Sequence, residues 1–99
     1  MNAVNENMKV VFKKPVSFEG KEYTEVDLSG LENLTTSDLI EADKQFSTSG
    51  QFSVMNEVTI GYAVIVAAKA SSKPIEFFEH LPASEGLKVK NMVMGFLNA

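Results

Sequence analysis

At Ser29-Gly30 the spacing of apolar residues changes from the period of a strand to that of a helix, and this limits the kind of domain the chain can build. Upstream, Val10, Phe12, Val16 and Phe18 share one parity, broken only by Lys14, so one face of a strand is largely apolar. Glu19-Gly20 supplies a turn, with glycine free to take positive φ. The return run, Lys21 to Ser29, places Thr24, Val26 and Leu28 on one face and Tyr23, Glu25 and Asp27 on the other. The pattern predicts a β-hairpin. Pro15 cannot donate a ladder hydrogen bond, so the first strand lies at an edge or bends there.

Downstream the signals are helical. Thr35 and Asp38 form an N-capping pattern, and Leu39, Ala42 and Phe46 make a stripe that stops near Phe46, before Ser47-Thr48-Ser49-Gly50. The apolar run Val58 to Ala68 reads in two ways. Its β-branched residues and Gly61 favour a strand, since glycine costs about 1 kcal/mol relative to alanine in a helix. Its length, a cap at Ser53 and Glu57 in the first turn favour a buried helix from near Val54. The helical reading puts Val58, Tyr62, Ile65, Val66 and Lys69 on one face and Ile60, Val64 and Ala67 on the other. Such a helix, apolar nearly all round, belongs in the middle of a core. Ser71-Ser72-Lys73 ends it, and Pro74 opens a short element with Ile75, Phe77, Phe78 and Leu81 that Pro82 closes. A last helix opens at Ser84-Glu85, with Val89, Met92, Val93, Phe96 and Leu97 on one face and Lys88, Lys90 and Asn91 opposite. The expected fold is α+β, an N-terminal β-hairpin followed by three to four α-helices in a small single domain spanning 9–99, behind a flexible arm of residues 1–8.

Composition narrows the function. All nine cationic side chains are lysines, and the net charge is −4. Phosphate backbones need clustered cations, and guanine is read by a bidentate arginine fork, so nucleic acid is not an expected partner. Thirteen carboxylates spread along the whole chain are too sparse to imitate DNA. With no cysteine there is no disulfide or zinc–thiolate site, which fits a reducing cytoplasm. Met1 to Asn7 lacks the basic start and apolar centre of a signal peptide. Val58 to Ala68, the uncharged apolar run, falls short of the ~20 residues of a membrane-spanning helix.

Catalytic patterns are scarce. His80 is the one histidine and sits at the end of a short apolar helix, where a surface imidazole is expected. Glu76, Glu79 and His80 form an E-x-x-E-H run without a second ligand cluster, so neither a metal nor another cofactor is expected. No G-x-S-x-G elbow, P-loop or dinucleotide glycine pattern occurs. Glu41, Asp43 and Lys44 offer surface charge pairing at most. The aromatic and methionine residues carry more. Phe77 and Phe78 point about 100° apart on a helix, and one short element can hardly bury both on the same face. Met92 and Met94 diverge in the same way. Either a small core consumes them all, or an apolar patch awaits a partner.

In order and spacing the chain resembles the small tail assembly chaperones of tailed phages and prophages. The resemblance is carried by Lys14-Pro15-Val16, Glu19-Gly20-Lys21 with Tyr23, Leu28, Leu34-Thr35, Asp38-Leu39 with Ala42, the apolar helix Ala63 to Ala68, Pro74, Leu81-Pro82 and Gly95-Phe96-Leu97. It covers about residues 10–97. Ser29 to Asn33 departs from it, standing where the family often has an arginine and a tighter link. The resemblance implies a non-catalytic escort in the host cytoplasm that keeps the tape-measure protein soluble, meets the tail-tube protein during assembly, and is left out of the mature virion. It is compatible with a homo-oligomer. An alternative is a structural tail-tube or head–tail joining subunit; a small His80-dependent enzyme is a third reading. The residues expected to contribute to partner binding are Phe77, Phe78, Met92, Met94 and Phe96, through helix-in-groove packing.

Overall fold

Glu19 and Gly20 both take left-handed backbone conformations, with φ of 51° and 81°, and reverse the chain in two residues. They join β1 (Lys9–Phe18) to β2 (Lys21–Asp27) in an antiparallel pair. Two positive φ angles at adjacent loop positions match the twist of a hairpin, and asparagine tolerates the first of them better than glutamate. Glu19→Asn is therefore expected to raise stability by about 0.5–1 kcal/mol, read as a higher urea midpoint at unchanged slope.

The computed structural model describes residues 8–48, 50 and 59–98. Behind the hairpin come a 3-10 turn (Ser29–Asn33) and four α-helices: α1 (Thr36–Thr48), α2 (Ile60–Ser71), α3 (Ile75–Glu79) and α4 (Ala83–Leu97). This is the expected α+β arrangement. The expected cap at Ser53, the helix start near Val54 and the Glu57 position lie outside the described residues, as do residues 1–7 of the expected arm. Met8, also assigned to that arm, instead belongs to the fold. Its side chain is buried and its carbonyl accepts from the Leu28 N–H at 2.7 Å, because the hairpin pairing continues one step past Lys9.

Pro15 lies inside the one irregularity of the sheet. Val11 pairs with Glu25 and Val16 with Tyr23, so Phe12 to Pro15 on β1 stand against Thr24 alone on β2. Val10, Phe12 and Val16 all stay buried, but β2 must change face between Val26 and Tyr23. The expected alternation is therefore corrected at its start. Thr24 is exposed, while Tyr23 is half-buried with its ring 5.0 Å from that of Phe77.

The core forms where α2 packs against α1, the 3-10 turn, α3 and α4. Between Val58 and Ala68 the described residues, 59–68, run from a capping residue into helix, not strand. Tyr62, Ala63, Ile65, Val66 and Ala67 are buried, which accounts for a composition apolar on most sides. Thr59 caps it, its Oγ1 accepting from the Tyr62 N–H at 3.1 Å. α1 begins with a reciprocal cap: Thr35 Oγ1 accepts from the Asp38 N–H at 3.3 Å, and Asp38 Oδ2 accepts from the Thr35 N–H at 2.8 Å. That second bond holds the Asp38 carboxyl below the ordinary aspartate value.

In α3 the core reading of the aromatic pair holds. Phe77 and Phe78 are both buried, at 1 % and 3 % exposure. The five-residue helix is covered on more than one side, so two side chains 100° apart can both be enclosed. Phe77 meets the hairpin, with ring centroids 5.6 Å from Phe18 and 6.4 Å from Phe12, and Phe78 turns toward α2 and α4. Lys73 closes the hairpin side, with Nζ 4.6 Å from the centre of the Tyr23 ring.

Candidate binding groove

The five residues expected to contact a partner do not form one exposed patch. Phe77 and Phe78 are core residues, and Met92 and Phe96 are half-buried against that core. Met94 is half-buried and stands apart from the cluster. Val89 and Val93, fully buried, carry the inner stripe of α4 as its periodicity predicts.

Unsatisfied apolar surface lies instead where the N-terminal turns of α2 and α4 meet α3. Ile60 and Val64 come from α2, Ile75 and Phe78 from α3, Leu81 from the link, and Gly86 and Leu87 from α4; together they bound an open groove of about 530 Å³. Phe78 and Leu81 are buried beneath it, while Ile60 and Leu87 stand on its lips at 45 % and 49 % exposure. The two helices lie side by side here: a Cβ on Gly86 would meet Ile60 Cδ1 at 3.7 Å, an ordinary van der Waals contact. Ile60 and Val64 belong to the α2 face opposite its buried stripe, so a helix apolar on most sides has neighbours on only some of them among the described residues. Leu87 lies off the α4 stripe, and for that reason sequence periodicity passes over it. An exposed leucine on a polar face is a signal only once another apolar lip stands beside it.

One charged side chain, Glu79, lines the groove, with Glu76 one turn earlier on the same side of α3. Neither carboxylate enters an ion pair among the described residues. Glu41, in contrast, pairs with Lys69 of α2 at 3.1 Å, across helices and not within its own.

His80 is exposed at the end of α3, and its Nδ1 lies 2.8 Å from the Glu76 carbonyl of the same turn. The centres of the imidazole and Phe18 rings lie 5.7 Å apart in an edge-on arrangement. With Nδ1–H donating, this is a helix-end cap. Among the described residues no group of three or more His, Cys, Asp or Glu side chains is placed to hold a metal ion, and no helix is long and apolar enough to cross a membrane.

Glu85 is a polar site that the sequence reading treats only as a helix opener. It sits in the first turn of α4 at 3 % exposure, and its Oε2 accepts from the Lys13 N–H at 2.9 Å. Lys13 falls in the irregular stretch of β1, where the pairing with β2 lapses. Oε1 makes no well-aligned hydrogen bond, but Lys88 Nζ stands 3.0 Å from it and balances the charge. The Lys13 N–H, followed by Lys88, holds this carboxyl below the ordinary glutamate value against the opposing effect of burial. Lys88 also donates to the Val11 carbonyl at 3.3 Å, so the first turns of α4 are fastened to β1 at two points.

Compared with known protein families, curated proteins and solved structures, the chain matches none.

Proposed function

We propose that the protein is a non-catalytic escort of the phage tail assembly chaperone kind, which holds apolar helical segments of a tape-measure protein during tail assembly. The observation that carries the reading is the open groove whose lips expose Ile60 and Leu87 above a buried floor of Phe78 and Leu81. A domain of this size has little reason to leave two large aliphatic side chains facing one another across an apolar cleft unless something covers them. The order of motifs from Lys14-Pro15-Val16 to Gly95-Phe96-Leu97 supports the same assignment. Partner contact belongs to the groove, with Phe78 as its floor. Met92, Met94 and Phe96 lie further along α4 and are not among the groove's lining residues.

The escort works in the host cytoplasm and is left out of the finished particle. Co-expression with the tape-measure protein of the same tail-gene cluster is expected to raise the soluble yield of that client and to bring the two down together. Leu87→Asn and Ile60→Asn, both on exposed positions, should each reduce co-purification without lowering the melting temperature. A client that neither gains solubility nor co-purifies removes the assignment. Mass spectrometry of purified particles separates it from the alternative of a structural tail-tube or joining subunit, because an escort is absent there and a subunit abundant.

A further inference from the structure

We infer that the groove takes a helical segment bearing a lysine or arginine beside its apolar stripe, with that cation meeting Glu79. The inference rests on the escort reading and adds the chemistry of the segment recognised.

Three observations define the occupant. Among the described residues the groove is bounded by three helices and the link between two of them, with no strand edge lining it. An extended peptide would find no backbone ladder there, whereas a helix satisfies its own backbone and needs only apolar contact. Next, the lining is apolar except at Glu79, so no convergent set of polar groups is present to orient a small polar ligand. Last, among the described residues Glu79 lies at the groove without an ion-pair partner, and Glu76 on the same side of α3 adds a second unpaired carboxylate. A cation on the occupant complements both. The same carboxylates argue against a second copy of this chain, since a two-fold contact through the groove would bring like charges together.

The test uses the full chain and two labelled synthetic peptides of about four helical turns. Both carry leucines at i, i+3, i+4 and i+7; the polar positions beside the stripe are lysine in one and glutamate in the other. Binding is read by fluorescence anisotropy and located by methyl NMR. The lysine peptide is expected to bind at least about tenfold more tightly, shifting the methyl signals of Ile60, Val64 and Leu87. Glu79→Gln should narrow the preference and Glu79→Lys invert it, while Glu22→Lys on the distant β2 leaves it unchanged. Leu87→Asn should weaken both peptides. Equal affinity for the two peptides, a preference indifferent to Glu79→Lys, shifts confined to other surfaces, or no binding of either peptide would each overturn the inference. So would Ile60 and Leu87 signals that broaden with protein concentration alone, which would mean that a second copy fills the groove. Loss of the charge preference with tape-measure co-purification intact sinks this inference only. A groove that selects the lysine peptide while the tape-measure protein fails to co-purify sinks only the escort reading.

Discussion

Gly30→Ala is expected to destabilise the protein by about 3 kcal/mol, lowering its melting temperature by roughly 10–20 °C. Gly30 sits in the 3-10 turn between the hairpin and α1, where the chain passes directly over the last turn of α2. A Cβ added there would fall 2.0 Å from the Ala70 carbonyl oxygen and 3.0 Å from its carbon. The obstacle is backbone, so no rotamer change relieves it; the turn or the end of α2 must move. Leu31 is 1 % exposed and its neighbour Leu28 is fully buried, so movement of the turn pulls both out of register with the core. Gly95→Ala in α4 is the matched control. A Cβ there meets nothing within 4 Å, and the same substitution should stabilise by up to about 1 kcal/mol. Thermal melts of the two variants should move in opposite directions. If Gly30→Ala melts with the parent protein, the close approach of turn to helix is wrong.

The second large effect is expected at Glu85. Glu85→Ala leaves the part-buried Lys13 N–H without its acceptor and Lys88 without its carboxylate, and should cost about 2–3 kcal/mol. Glu85→Gln keeps an acceptor for the N–H but loses the charge, and should cost about half as much. Acidity supplies an independent check. The folded value of this carboxyl is below the ordinary 4.5, so the unfolded chain takes up the proton first as pH falls. The stabilisation is therefore complete above the ordinary value and is lost as pH drops through the lower folded value. Urea titrations between pH 7 and pH 3 should show the gap between parent and Glu85→Gln closing in that acid range. Asp27 and Asp38, also lowered by backbone N–H bonds, stay in both proteins and cancel in the comparison. A gap independent of pH would mean that Glu85 acts through packing alone.

Local chemistry was the most legible part of the sequence. A glycine needing positive φ, a threonine and aspartate three residues apart, and the stripe through Val89 and Val93 each act within a few residues, and each appears where expected. The errors share a different cause. Whether both Phe77 and Phe78 can be buried depends on what covers α3 from more than one side, and helical geometry alone does not say. Tyr23 turns inward because β1 accommodates Phe12 to Pro15 against one residue of β2, a register decision that no alternation count registers. A glutamate in a first turn looks like an exposed dipole partner until a strand seventy-two residues away offers it an N–H. The groove is hidden for the same reason. Ile60 and Leu87 lie on separate helices, and only the packing of α2 against α4 makes their faces into one surface.

The attachment of α4 to β1 also bears on how a two-stranded sheet avoids sticking to its own kind. A small sheet has two open flanks, each a template for another chain. With the Lys13 N–H and the Val11 carbonyl held by side chains of α4, the flank of β1 is already engaged. That leaves β2, where Lys21, Glu22, Glu25 and Asp27 fill four of the seven positions and a neighbouring strand would have to bring its backbone in beside them. One border is shut by bonding and the other guarded by charge, so the hairpin offers a second strand little to pair with.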